Sequence, residues 1–351
     1  MNYQYKTIEN YLKLCSDESE NLKSIKIEPS INPKISIISP VYNTGKFVLR
    51  LLKSIYYQSF NSFEIILIDD CSEDNSVELI KKYKKYDKRI HLIQNKINKG
   101  TFASRNLGTL KSKGDFVMLP DPDDILLENS LKYFYYFSIK YNYEVVRYNV
   151  YLRKGITFFG HITEKLKSKP IYQPELSTYI FYGLGFLMQV DYNIWNKFIK
   201  RETLIKCLNR IGEKNTRMFM TGFEDGLLNY IIYREAKSFY FLKKFCYYYI
   251  KNNIKKKQKY SYLLYLNHIK FIFIYLIYVF KYSKNTKHEK DMANDIFRRL
   301  IYNNKIKNIL YLNKTDYNFF SDIINTINGN EFFNINYKKY LAIIKSNFKI
   351  V

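Results

Sequence analysis

Apolar positions in the first third of the chain alternate between two rhythms. ISIISPVYN (35–43) is a short continuous apolar run closed by turn residues, the pattern of a strand buried on both faces. Phe47, Leu51 and Ile55 follow at helical spacing, with Val48 and Leu52 beside them, and predict a helix over 47–57. FEIILIDDCSEDNS (63–76) repeats the device: a buried strand at 64–68, a polar turn, then a helix from about 76 to 86. HLIQN (91–95) is a third strand, Asn98-Lys99-Gly100 turns into a helix over 102–112, and DFVMLPDPDD (115–124) is a fourth strand with an acidic tip. Strand and helix alternating at these spacings mean βαβ units and a mostly parallel sheet. Ligands of such open sheets sit outside the carboxyl ends of the strands. Polar residues gather at those ends: Tyr42-Asn43, Asp69-Asp70, and the acids of 121–124.

Further along the rhythm loosens. EVVRYNVYL (144–152) predicts another strand, with TFFG (157–160) as a hairpin partner, and residues 177–190 are apolar around Gly183 and Gly185. NIWNKFIKRETLI (193–205) passes from strand to helix, GFEDGLLNYIIYREA (222–236) is an amphipathic helix, and SFYFLKKFCYYYI (238–250) reads as a strand pair. A short helix is expected near residues 8–14, before a polar lead-in ending at Pro29 and Pro33, and helices are expected from Lys251 onward.

Composition narrows the class. Of 351 residues, 47% are hydrophobic, enough for a core and against wholesale disorder. The 57 Lys+Arg against 32 Asp+Glu give +25, part of which reflects the Lys, Asn, Ile and Tyr richness of an AT-biased genome. That charge and the aromatics suggest a nucleic-acid binder. No binding fold of that kind is visible and the lysines are spread widely, so no nucleic-acid partner is expected. Cys15, Cys71, Cys207 and Cys246 form no CxxC pair and read as reduced thiols of a cytosolic compartment. The N-terminus has no signal-peptide pattern, and the most apolar stretch, 271–280, is well short of the ~20 residues a spanning helix needs. A cytoplasmic protein, integral to no membrane, is the expectation.

Each candidate site has a plain alternative. Three carboxylates in four residues, Asp121, Asp123 and Asp124, repel one another unless a hard divalent ion sits among them, completed by a nucleotide diphosphate. The same letters also make a solvated acidic turn that caps the next helix. Asp70 can accept from a base N–H, or serve as a turn cap. Tyr42 can stack on a base, though 36 tyrosines make one of them a weak signal. Arg105 can pair with a phosphate or with a surface carboxylate, and Trp195, the only tryptophan, is by itself more in keeping with a core. Glu224-Asp225 either caps a helix through its dipole or supplies a general base.

Taken together and in order, these segments resemble the family 2 glycosyltransferases of the GT-A fold, in their bacterial and viral polysaccharide-type members. The resemblance runs from about Pro33 to Ile250. ISIISPVYNTGKFVLRLLKSIYYQSFNSFEIILIDDCSEDNS is similar to the family's opening, NKGTFASRNLG to its Asn-x-Gly…Ala-Arg-Asn segment, and GDFVMLPDPDD to its DxD strand. NIWNKFIKRETLI and GFEDGLLNYIIYREA resemble its Trp-Asn-Lys segment and Glu-Asp base motif. The resemblance implies an α/β, Rossmann-like GT-A domain over 34–250, mostly parallel sheet flanked by helices. Its nucleotide-sugar half is 34–132 and its acceptor half 133–250, between a lead-in (1–33) and a basic, mainly helical C-terminal extension (251–351). It implies Pro40 and Tyr42 around the base, Asp70 at the base edge and Arg105 on the diphosphate side. It also implies Asp121 and Asp123 at the donor, with Asp123 and Asp124 as ligands of Mn²⁺ or Mg²⁺, and Asp225 as catalytic base beside Glu224. One departure is Pro120 and Pro122 around Asp121, since a proline at 122 holds Asp121 extended.

The implied activity is inverting transfer of a sugar from a nucleotide-sugar donor, a UDP-sugar in this reading, to a hydroxyl of a glycan, glycolipid or glycoprotein. The competing expectation is a non-catalytic scaffold of the same fold. Residues 236–288 hold twelve Lys and no Asp or Glu, and KNNIKKKQKY (251–260) precedes the aromatic, apolar segment 262–280. That composition suits peripheral contact with an anionic membrane beside a lipid-linked acceptor, or a helix packed on the catalytic domain with its lysines solvated.

Overall fold

The computed structural model describes residues 30–152, 171–172, 193–217, 220, 224–250, 311–312 and 349–350. The chain divides into two compact units: Met1–Ser177, Asn193–Thr221 and Leu228–Lys256 form the first, and Thr178–Tyr192, Gly222–Leu227 and Lys257–Val351 the second. The expected helices near 8–14 and in most of 251–351, the TFFG strand and the apolar segment 177–190 lie outside the described residues.

In the first unit, β1 (Ile35–Val41), β2 (Phe63–Asp69), β3 (Ile90–Gln94) and β4 (Phe116–Met118) alternate with helices. These are α1 (Val48–Tyr56), entered through a 3₁₀ turn Gly45–Phe47, α2 (Ser76–Lys84) and α3 (Gly100–Lys111). All seven residues of β1 and of β2 are buried, as their unbroken apolar runs require. The strands pair parallel in the order β3-β2-β1-β4. Beyond β4 the sheet becomes mixed through β5 (Ile125–Leu126), β6 (Val145–Leu152), β7 (Ile171–Tyr172), β8 (Lys197–Lys200) and β9 (Ser238–Tyr249). Its order continues β8-β6-β9-β5, with β7 also on β9. Strand β8 lies antiparallel to both β4 and β6, while β6 and β9 are parallel. Strands β6 and β9 therefore point the same way as β1, and the end of β9 reaches the edge where β1 to β4 end.

Remaining helices of the description are α4 (Ser130–Tyr141), α5 (Arg201–Ile211), a single turn α6 (Glu213–Thr216) and α7 (Glu224–Glu235). The 238–250 segment is one strand rather than a pair: register shifts opposite residues 148–150 form a bulge, which lets Lys243 and Lys244 both face solvent. In the second unit, β10 (Tyr311–Leu312) and β11 (Lys349–Ile350) pair parallel.

Both faces of the first unit's sheet are covered. Ile35, Ile37, Phe63, Ile65 and Leu67 join a core with Leu51, Leu52 and Ile55 of α1, Ile80 of α2 and Phe134 of α4. On the other face α3 approaches so closely that a Cβ at Gly108 would overlap Ile38 Cγ2 and Ile68 Cδ1. Glycine there sets the distance between helix and sheet. Trp195 is buried and stacks on Tyr247 and Tyr249, with ring centroids 5.2 and 5.3 Å away. Cys207 and Cys246 are buried free thiols, and burial pushes Cys246 up to about 12; Cys71 is exposed.

A proline inside β1 has a simple explanation. Backbone groups of odd-numbered β1 residues face β2, as in the Asp70 N–H to Val41 O bond, and those of even-numbered residues face β4, as in Phe116 N–H to Lys34 O. The β1–β4 ladder ends at Ile37 and Met118. Pro40 thus turns its missing N–H to a side where the ladder has already stopped.

Candidate functional site

Two loops at the carboxyl edge are laced together. Asn43, in the left-handed region at φ +48°, donates its N–H to Ser72 Oγ at 3.0 Å and accepts the Glu73 N–H at 2.8 Å. Ser76 Oγ accepts the N–H groups of Thr44 and Gly45 at 3.0 and 2.8 Å. Tyr42, half-buried, rides on this frame directly after β1.

Asp70 is buried, and its carboxylate is occupied by the protein. Oδ1 accepts Asn95 Nδ2–H at 2.8 Å and the Lys99 N–H at 2.9 Å, and Oδ2 accepts the Gly100 N–H at 2.7 Å. Asp70 therefore ties the turn that opens α3 to the end of β2. Gly100 sits at φ +82° with the backbone of Met220 against it, where a Cβ would come 2.6 Å from the Met220 carbonyl. That carbonyl accepts the Phe102 N–H at 3.2 Å, so the amino end of α3 is capped by the chain itself. Asp70→Asn replaces one accepting oxygen with a donor facing other donors, and is expected to cost roughly 2 kcal/mol in urea unfolding. Gly100→Ala combines a positive φ with a backbone collision and is expected to cost about 2–3 kcal/mol, seen as a lower urea midpoint at unchanged slope.

The acids after β4 form a tight turn. The Asp124 N–H donates to the Asp121 carbonyl at 3.3 Å, with Pro122 second in the turn, a position that favours proline. The departure in the sequence is thus a turn residue in its proper place. Ser39 Oγ–H donates to the Pro120 carbonyl at 2.9 Å and pins the entry. Arg105, buried on α3, pairs its guanidinium with Asp121 Oδ1. Asp121 and Asp123 remain partly exposed. Asp124 is wholly buried: Tyr247 Oη–H donates to Oδ2 and the Ile250 N–H to Oδ1, both at 2.8 Å. Burial, then repulsion from Asp121 and Asp123, push its carboxyl well above the usual carboxylate range, and the two donors pull the other way.

Among the described residues no three His, Cys, Asp or Glu side chains gather around one point. A Mn²⁺ or Mg²⁺ ion bound with a nucleotide needs only one or two protein carboxylates, the phosphates and water supplying the rest. Asp121 and Asp123, two apart on one turn and partly exposed, fit that demand; Asp124, enclosed with each oxygen accepting a protein donor, does not present itself to an ion.

Of the expected site residues, the structure brings Arg105 and Asp121 into contact and sets Asp123 and Asp124 on the same turn. Pro40, Tyr42 and Asp70 lie on the same sheet edge. Asp225 lies half-buried in the first turn of α7 beside Glu224. Three participants carried no signal in the sequence: Asn95, Met220 and Tyr247. Tyr247 is one tyrosine among 36, and its partners are more than 120 residues away.

These features define an α/β protein of GT-A architecture whose polar side chains converge on one sheet edge. Residues 36–204, just under half of the chain, match the model of glycosyl transferase family 2. It is 28% identical over 193 residues to the glycosyltransferase GlyG of Streptococcus pneumoniae, a match covering 53% of this chain and 61% of that one. It is 32% identical over 102 residues to the poly(ribitol-phosphate) beta-N-acetylglucosaminyltransferase TarS of Staphylococcus aureus, covering 28% of this chain and 18% of that one. The chain therefore spans about three fifths of GlyG's length and a smaller share of TarS. In three dimensions it resembles TarS 1–349, crystallised in complex with UDP-GlcNAc. The TM-score is 0.60 at 20% identity, over 83% of this chain and 80% of the other, a likeness of fold.

Proposed function

We propose that the chain is an inverting glycosyltransferase that moves a sugar from a nucleotide-sugar donor, UDP-linked in our reading, to a hydroxyl of a glycan, glycolipid or glycoprotein. The observation that carries this is the braced 121–124 turn, with Arg105 against it, on the sheet edge shared with Tyr42 and Asp70, within the residues that match the family 2 model. The name of TarS, a poly(ribitol-phosphate) beta-N-acetylglucosaminyltransferase, and its complex with UDP-GlcNAc support a nucleotide-sugar donor and a polymeric acceptor.

In this mechanism Tyr42 and Pro40 line the base, and Asp70 fixes the loop that faces it. Asp225 takes the proton of the acceptor hydroxyl, whose oxygen bonds to the anomeric carbon as the bond to the nucleotide oxygen breaks on the opposite face. The nucleotide diphosphate leaves with the electron pair, and a single displacement inverts the centre. Arg105 holds Asp121 and adds positive charge beside the leaving group. Asp123 and Asp121 would hold a divalent cation, which when bound would supply charge neutralisation to the diphosphate. Asp124 acts from behind the turn.

A screen of nucleotide sugars for slow donor hydrolysis tests the reading; release of free nucleotide from one donor supports it. Absence of release from all, together with nucleotide binding that ignores the aspartates, favours the scaffold. We further propose a membrane-proximal role for the basic 251–260 and apolar 262–280 stretches, which lie outside the described residues. No helix among the described residues is long and apolar enough to cross a membrane. Preferential co-sedimentation with anionic liposomes, lost in a Lys255/Lys256/Lys257→Gln variant, supports that role. Equal weak binding to anionic and neutral liposomes leaves only the packed helix.

A further inference from the structure

We propose that Tyr247 is the positioning residue of the donor site: its one hydroxyl joins both ends of the 121–124 turn and so aims the carboxylates of Asp121 and Asp123. The inference rests on the donor-site reading above. The oxygen of Tyr247 accepts the Asp121 N–H at 3.0 Å while its hydrogen goes to Asp124 Oδ2 at 2.8 Å. The turn's own hydrogen bond, 3.3 Å from Asp124 N to Asp121 O, is the longest of the three, so the loop leans on the phenol for its shape.

The phenol is itself fixed. Its ring is fully buried and lies 5.2 Å from Trp195 at an interplanar angle of 17°, and Tyr148 Oη–H holds the Trp195 carbonyl at 2.5 Å. Directly after the end of β9 comes Ile250, whose N–H takes the other oxygen of Asp124. The carboxylate is thus gripped twice by one strand end, three residues apart. A hydroxyl attached to a stacked, immobile ring on the sheet transmits the rigidity of the sheet to a loop that otherwise carries mutually repelling acids. The stack is also a reporter, because Trp195 is the only tryptophan in the chain.

Tyr247→Phe keeps the ring and its stacking and removes only the hydroxyl. The test is a titration of intact wild-type and variant protein with UDP and, in parallel, GDP, each with Mn²⁺, followed by Trp195 fluorescence and calorimetry. Wild type is expected to bind one nucleotide, and Tyr247→Phe to bind it about tenfold more weakly, the scale of a buried hydrogen bond lost from the turn. Ser238→Ala removes a buried hydroxyl at the far end of β9, where it accepts the Glu144 N–H at 3.1 Å and donates to the Asn142 carbonyl at 3.0 Å, without touching the turn. It is expected to lower thermal stability with nucleotide affinity unchanged, which separates positioning from general destabilisation. Should Tyr247→Phe not fold, Asp124→Asn, which keeps the shape and spoils one of the two acceptors, is expected to weaken binding in the same direction. Wild-type affinity in the folded Tyr247→Phe, or equal losses in Tyr247→Phe and Ser238→Ala, overturns the inference while leaving the function intact. Failure of wild type to bind either nucleotide withdraws the function and the inference together.

Discussion

Transfer by an Asp225→Asn variant is expected to fall by roughly 10²–10⁴-fold, the scale set by removing a general base from a proton transfer. Asparagine keeps the size and shape of the side chain in the first turn of α7, where Asp225 is half-buried, so the fold is expected to survive. What is lost is the oxygen lone pair that accepts the acceptor's proton. Nucleotide affinity is expected to change less than twofold, because the assigned role concerns the acceptor hydroxyl rather than the donor. The same variant should also slow donor hydrolysis, since water in place of the acceptor needs the same base. Initial rates at saturating donor, beside a nucleotide titration, read both quantities. Near-normal transfer would move the base elsewhere, with Glu224 the next residue to replace.

How much of this could be read beforehand depended on the range of each interaction. Strands β1 and β2 were legible because burial on both faces demands an unbroken apolar run, and ISIISPV and FEIILID supply one. Helix α1 was legible because its apolar stripe repeats at helical spacing. Strand order past β4 was not, since no local pattern encodes that β8 inserts antiparallel between β4 and β6. Strand β9 looked like two strands because consecutive lysines break a period of two, and only its pairing with β6 reveals a bulge.

The site followed the same rule. That Asp70 ends a buried strand was visible in the letters; that its oxygens are taken by Asn95, Lys99 and Gly100, 25 to 30 residues on, was not. A free carboxylate and one used as a backbone clamp look identical in sequence. Arg105 was expected to face a phosphate, and its partner in the structure is Asp121. Both fit one chemistry: a guanidinium placed beside an acidic turn is held ready by it for a diphosphate.

Chelation should have an effect of comparable size. In excess EDTA, donor turnover is expected to fall at least about 10²-fold and to return with Mn²⁺ or Mg²⁺, a difference of roughly 3 kcal/mol in the barrier. The expectation follows from counting charge at the turn. Asp121 and Asp123 both stand partly exposed there, while Arg105 is already paired with Asp121. The Asp121 and Asp123 carboxylates together carry more charge than the Arg105 guanidinium offsets, and a nucleotide diphosphate brings further negative charge to the same place. At about 4 Å and an effective dielectric near 20, each unlike or like pair of unit charges is worth about 4 kcal/mol. An uncompensated diphosphate beside Asp123 is therefore repelled by more than one buried arginine offsets. A divalent ion held at the turn would reverse the sign of that interaction. Asp123→Asn removes part of the repulsion together with a ligand, so it is expected to bind Mn²⁺ with nucleotide more weakly yet lose less nucleotide affinity than wild type when the ion is withdrawn. Undiminished turnover of wild type in EDTA would place the neutralising charge on Arg105 or other cationic side chains instead, and would return the 121–124 turn to a purely structural role.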